Sequence, residues 1–156
     1  MSEKAMEYFK KIGLGDRIQV FEQSSATVEL AAEAIGCTPG EIAKSITFYG
    51  NEGGAVLIVA AGDAKTDNGK FKEEFAFKPK MLTPQDVEEK VGYSVGGVCP
   101  YALNEGVSVY LDESLKRFEK VYTACGTTNS VIGLSLPELM QYSGALKWVD
   151  VCKGWE

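Results

Sequence analysis

The chain has 156 residues, 45% apolar and 24% charged, a globular composition long enough for one domain around one core. Its net charge of −6 disfavours a sequence-independent DNA-coating protein, which needs a broad basic face for counterion release, while leaving room for a local basic patch. The sequence contains no histidine, which removes His-ligated zinc and Ser-His or Cys-His relays. Chemistry here must use lysine, carboxylates, thiols, hydroxyls, backbone groups or the substrate itself.

In chain order, Met6, Phe9 and Ile12 recur at helical spacing and predict an amphipathic helix over 3–12, stopped by Gly13 and Gly15. Residues 17–21 read as a short strand. Val28, Ala31, Ala32 and Ile35 share a face of a second helix over 27–35, with Gly36 as its stop. Thr38-Pro39-Gly40-Glu41 is a capping-box signature with proline at the first helical position. Strands follow over 45–49 and 55–61, joined by the turn Asn51-Glu52-Gly53-Gly54. The second strand is apolar throughout, as in a strand buried on both faces. Helices are predicted over 68–75 and from the Thr83-Pro84-Gln85-Asp86 cap to about Lys90. Strands over 107–111, 120–125 and 130–134 precede a helix opened by Ser135-Leu136-Pro137-Glu138 and ending near Tyr142. Residues 148–151 read as a final edge strand. Strands and short helices interleave too irregularly for a doubly wound sheet. The expected architecture is α+β: a single domain over 1–156, with one mixed, partly closed sheet surrounded by short helices.

No apolar run approaches the roughly 18 residues of a membrane span, and the start of the chain lacks the apolar core of a secretion signal. Cys37, Cys99, Cys125 and Cys152 are widely spaced, with no C-x-x-C pair. Reduced thiols, a cytoplasmic location, and neither membrane nor DNA as a partner are the expectations.

Several residues could carry chemistry. Lys44 stands where the chain enters a buried strand, from which its ammonium could hold a carbonyl, phosphate or ribose hydroxyl; equally, its stem could cover apolar surface. Gly92-Tyr93-Ser94-Val95-Gly96-Gly97-Val98-Cys99-Pro100 is a glycine loop whose backbone N–H groups could bind a carbonyl oxygen or oxyanion, or form an ordinary tight turn. The polar loop Gly126-Thr127-Thr128-Asn129-Ser130 could contact a ligand or simply turn the chain. Cys99 has no histidine to activate it, so a packing role is expected. Asp112-Glu113 follows a strand and could provide a carboxylate, but reads better as the start of a short helix, where acids suit the positive end of the dipole. Lys65, Lys70, Lys72, Lys78 and Lys80, interleaved with Phe71, Phe75 and Phe77, form a basic stretch that could meet a phosphate backbone or be a solvated surface.

The order of these signals resembles the YbaK family of prolyl-tRNA synthetase-associated editing domains. The match runs through Thr27-Val28-Glu29-Leu30-Ala31-Ala32, Ile42-Ala43-Lys44-Ser45-Ile46, and Val56-Leu57-Ile58-Val59-Ala60-Ala61-Gly62-Asp63. It continues through the 92–100 glycine loop, Val109-Tyr110-Leu111-Asp112-Glu113-Ser114-Leu115, Ala124-Cys125-Gly126 and residues 134–139. The resemblance implies a metal-independent hydrolase without cofactor that cleaves the ester of mischarged aminoacyl-tRNA, typically proline tRNA bearing alanine or cysteine. The implied partners are that tRNA and an aminoacyl-tRNA synthetase. It implies catalytic roles for Lys44, Gly96 and Gly97, with Thr27, Ser45, Val98, Pro100, Gly126 and Asn129 binding substrate. Phe21, Val28 and Ile46 are expected to line the pocket. In cysteine-specific relatives the substrate's own thiol is thought to attack the ester, which suits a chain without histidine. The chain differs from many relatives in having Val131 at an acidic position and Ala102-Leu103 at a Gly-His pair. The alternatives are a tRNA- or nucleotide-binding module without turnover, and a hydrolase of small esters.

Overall fold

The structure is a computed structural model and describes residues 3–155. Helix α1 (Lys4–Lys11) buries Ala5 and Phe9 in the core. A 3-10 turn leads to β1 (Ile18–Val20), shorter than the expected 17–21 because the turn takes up Arg17. Helix α2 (Val28–Ile35) starts where the Thr27 hydroxyl accepts the Leu30 N–H at 3.1 Å, and it ends on left-handed Gly36. The Thr38–Glu41 capping box closes a single 3-10 turn, and β2 (Ala43–Tyr49) follows.

Strand β3 (Ala55–Ala61) is buried at every position, as its unbroken apolar run requires. It pairs antiparallel with β2 and parallel with β5 (Val107–Asp112), and β5 pairs parallel with β8 (Trp148–Val149). The sheet order is therefore β2-β3-β5-β8, mixed in direction. A second, antiparallel sheet has the order β1-β7-β6, with β6 spanning Lys120–Ala124 and β7 Ser130–Ser135. One parallel bridge, between Ile42 and Tyr122, joins the two sheets and gives the partly closed form. The α+β architecture expected from the sequence is the one observed.

Helix α3 (Asn68–Phe75), capped by Asp67, packs Phe71 into an aromatic group with Phe48, Phe75, Phe77 and Tyr110. Burying each such ring contributes about 1.5–3 kcal/mol. Phe48 and Phe71 are therefore core, with Phe75, Phe77 and Tyr110 half-buried against them at its edge. Helix α4 (Pro84–Asp86) continues as a π-helical turn over Val87–Val91, which ends at left-handed Gly92. Helix α5 (Leu136–Ser143) opens with the Ser135–Glu138 capping box.

Three strands differ from the sequence reading. Strands β4 (Lys65–Thr66) and β9 (Cys152–Lys153) pair with each other and were not expected. The final edge strand stops at Val149 because the Val151 N–H leaves the ladder and donates to Asp112 Oδ1 at 2.9 Å. The other carboxylate oxygen of Asp112 accepts the Ser114 N–H at 2.9 Å, so this fully buried acid caps the 3-10 turn Glu113–Arg117.

Candidate active site

Alternation along β2 sends Ala43 into the core and leaves Lys44 half-buried on the opposite face. The Lys44 ammonium donates to the carbonyls of Gly62, at 3.3 Å, and Ala64, in the loop that follows β3. Burial holds its pKa below the ordinary lysine value, with Cys152, Asp63 and Glu29 acting in the opposite sense. Between the two carbonyls lies Asp63, whose carboxylate accepts the Arg117 guanidinium through both oxygens, at 2.9 and 2.6 Å. That contact holds the Asp63 carboxyl below its ordinary range.

The glycine loop faces β2. The Gly97 N–H donates to the Ser94 carbonyl at 3.0 Å, closing a turn whose third residue, Gly96, has φ +97°. A β-turn with positive φ at that position selects glycine. Gly97 lies flat on the second glycine loop: a Cβ there would sit 2.8 Å from the Gly126 carbonyl oxygen. Among the described residues, no protein acceptor takes the N–H of Gly96 or Val98.

Between the two walls lies a cleft of about 380 Å³. Lys44, Ser45, Ile46 and Thr47 of β2 form one side; Val95, Gly96 and Val98 form the other. Leu82, Pro84, Val87, Ala26 and Ala124 complete an apolar lining. Met81 and Val95, 64% and 60% exposed, leave apolar side chains in solvent at its rim.

The structure thus brings Lys44, Ser45, Gly96 and Val98 together around one cavity. Gly97 is buried one residue behind the wall, with its amide engaged in the turn. Pro100 is buried, and Gly126 backs the loop. The Thr27 hydroxyl is used in capping α2, beside Ala26 of the lining. Asn129 donates to the Phe21 carbonyl at 2.8 Å and accepts the Thr127 hydroxyl at 3.0 Å, tying its loop to the end of β1. Of the apolar residues expected in the lining, Ile46 is there. Phe21 instead borders a separate groove with Glu22, Leu30 and Glu33, and Val28 packs on Ala31, Ala32 and Ile42. Sequence reasoning missed Met81, Leu82, Val87 and Ala124; the apolar pair Met81-Leu82 in a polar stretch was the available signal.

Cys99 is fully buried and burial pushes its thiol up to about 11, so no nucleophile faces the cleft from there. The basic stretch divides. Lys70 pairs with Asp150 at 3.1 Å, Lys80 lies over the Tyr49 ring, and exposed Lys65 stands directly opposite exposed Lys153 across β4 and β9. Among the described residues, no group of three or more carboxylates or thiols gathers to hold a metal ion, and no helix is long and apolar enough to cross a membrane.

Residues 22–142 match the family model for the aminoacyl-tRNA editing domain, and they include both walls of the cleft. The chain belongs to that family. The editing domain is 49% identical, over the whole of both chains, to the uncharacterized protein YwhH of Bacillus subtilis. It is 28% identical over 74% of its length, and 71% of the relative's, to the Enterococcus faecalis protein named "Putative Cys-tRNA(Pro)/Cys-tRNA(Cys) deacylase EbsC". A crystal structure described as "a putative trans-editing enzyme for prolyl tRNA synthetase" superposes with a TM-score of 0.85 at 30% identity, covering 99% of each chain.

Proposed function

We propose that this editing domain is a trans-acting deacylase that hydrolyses the ester of mischarged tRNA, with proline tRNA bearing alanine or cysteine as its substrate. What supports the reading is that Lys44 lines one side of an apolar cleft and Gly96 and Val98 line the other, with no protein acceptor among the described residues for the N–H of either. An aminoacyl ester is already activated, so the site needs to orient it and stabilise the developing oxyanion rather than supply a strong nucleophile. In the proposed reaction the Gly96 and Val98 amides receive the carbonyl oxygen, and Lys44 holds the ribose or phosphate of the terminal adenosine. Water adds to the carbonyl carbon, the bond to the ribose oxygen breaks, and that oxygen takes up the proton. Gly97, Gly126 and Pro100 support the amide wall from behind, and Ser45 borders the ribose.

The lining of Ile46, Leu82, Val87, Val98 and Ala124 suits a small apolar or thiol side chain. A second sieve is useful because one methylene is worth only about 1–3 kcal/mol in a synthetase pocket. Lys65 and Lys153 supply exposed cationic charge beside the Ala64 carbonyl that holds Lys44, on a chain otherwise acidic, and meet the tRNA backbone there. Such a protein works in the cytoplasm, receiving tRNA released by a synthetase.

The test is deacylation of proline tRNA charged with Ala, Cys, Ser or Pro, by wild type and Lys44→Ala. Hydrolysis of Ala- or Cys-charged tRNA, sparing of the Pro-charged form and a dead Lys44→Ala variant are expected. A folded protein that binds tRNA and hydrolyses none of them is a binding module, and one that cleaves small esters with no gain from tRNA is a different hydrolase.

A further inference from the structure

We infer that Asp63 and Arg117 form a clamp that positions Lys44 in the cleft, although neither lines the cleft itself. The inference rests on the deacylase reading above for its effect on turnover, but not for its geometry. The two carbonyls that hold the Lys44 ammonium belong to Gly62 and Ala64, the residues on either side of Asp63. Fixing the Asp63 side chain therefore fixes both acceptors. Arg117 does so with its planar fork, and a bidentate pair sets orientation as well as distance.

Arg117 is itself held at three further points. Its Nε donates to the Ser114 carbonyl at 3.0 Å, its Nη1 donates to the Trp155 carbonyl at 2.8 Å, and its guanidinium lies over the Phe118 and Trp155 rings. On the other side, the carboxylate abuts Gly40, where a Cβ would meet Asp63 Oδ2 at 3.2 Å. Gly62 is pressed so closely on the Pro39 carbonyl oxygen that a Cβ would lie 2.1 Å from it. The 62–64 loop is thus gripped between the Pro39–Glu41 turn and Arg117, and Lys44 hangs from its backbone.

The ion pair is partly solvated, with side chains 29% and 38% exposed, so the pair and the further contacts of Arg117 contribute a modest part of the stability of a chain whose core lies elsewhere. Arg117→Lys should therefore fold. It keeps the charge but loses the fork, so the loop relaxes and the Lys44 ammonium gains water. Burial is what lowers its proton affinity, so that affinity rises toward the ordinary lysine value.

The experiment measures three things on wild type, Arg117→Lys, Asp63→Asn and the double variant: melting temperature, kcat and KM for deacylation across pH, and the pH dependence of trace acetylation of Lys44, read by peptide mass spectrometry. For Arg117→Lys we expect a folded protein with a melting temperature lowered by roughly a few degrees, kcat lowered tenfold or more with KM within about threefold, and the Lys44 acetylation midpoint moved to higher pH. The double variant should be no worse than the worse single variant, since both break one unit. Wild-type kcat and an unmoved acetylation midpoint in a folded Arg117→Lys protein would overturn the clamp. If that variant fails to fold, wild-type kcat in Asp63→Asn would overturn it equally. The acetylation arm needs no turnover: a shifted midpoint in a protein that deacylates nothing would refute the deacylase reading and leave the clamp standing.

Discussion

Gly97→Ala tests the contact between the two glycine loops most directly. The added methyl would lie 2.8 Å from the Gly126 oxygen, 2.9 Å from its carbonyl carbon and 3.1 Å from the Thr127 nitrogen. All three are backbone atoms, so no side chain can swing aside. Carbon atoms come to rest about 3.5–4.0 Å from their neighbours, so the loops must part by roughly half an ångström or more. Overpacking of this kind costs about 1–3 kcal/mol. At about 2 kcal/mol, a chain of this size loses roughly 4–8 °C in melting temperature. Because Gly96 and Val98 flank the displaced residue, kcat should also fall about tenfold, given the sensitivity of near-attack geometry to such shifts. Gly13→Ala is the control: that glycine has φ +83° and nothing within 4 Å of its would-be Cβ, so only the left-handed backbone is penalised, by about 1–2 kcal/mol. Calorimetry and deacylation, run on both variants, should give comparable losses of stability and a loss of turnover in Gly97→Ala alone. A Gly97→Ala protein that melts with wild type would refute the backbone-to-backbone packing.

Three further outcomes are expected. The Arg17 contact draws the Glu138 carboxyl from 4.5 to about 2, so its stabilisation is present above pH 4.5 and lost as pH falls toward 2; urea titrations should show Glu138→Gln losing less stability than wild type across that window, and parallel losses would refute the pairing. Lys44 is lowered from 10.5 by burial, so the unfolded chain holds more protons in the window below 10.5; stability of wild type relative to Lys44→Met should rise as pH climbs through that window, and a falling difference would contradict the burial. Cys99, Cys125 and Cys152 are buried with thiols at about 11, 12 and 12, whereas Cys37 is half-buried; a thiol reagent at pH 8 should label Cys37 alone in the native protein, and rapid labelling of a second cysteine would sink that assignment.

What could be read from the sequence follows the range of the interactions involved. Helices α2 and α5 announce themselves because Thr27 and Ser135 cap groups three residues away. Strand β3 is legible because its burial on both faces demands an unbroken apolar run. Strands β4 and β9 are not, since two-residue strands carry no period and their register, Lys65 opposite Lys153, is set only by the finished fold. The site divides the same way. Lys44 and the glycine loop stand out by residue type, but the carbonyls that receive the ammonium lie 18 and 20 residues further along. Asn129 looked like a ligand contact because an amide in a polar loop is indistinguishable, before folding, from one that ties that loop to Phe21.

Among the described residues one backbone bridge, between Ile42 and Tyr122, links the two sheets that carry the walls of the cleft. Lys44 rides on β2 of one sheet, and the Gly126 loop, against which the amide wall rests, lies between β6 and β7 of the other. Each of these two jaws is stiffened by a continuous ladder, and among the described residues the backbone seam between them lies two residues before Lys44. Beyond that seam the jaws are joined by side chains rather than by backbone: Leu57 and Ile58 of β3 share one buried core with Val121, Ile132 and Leu134 of β6 and β7, so the width of the cleft is set by packing and a change of core volume there would be felt at its walls.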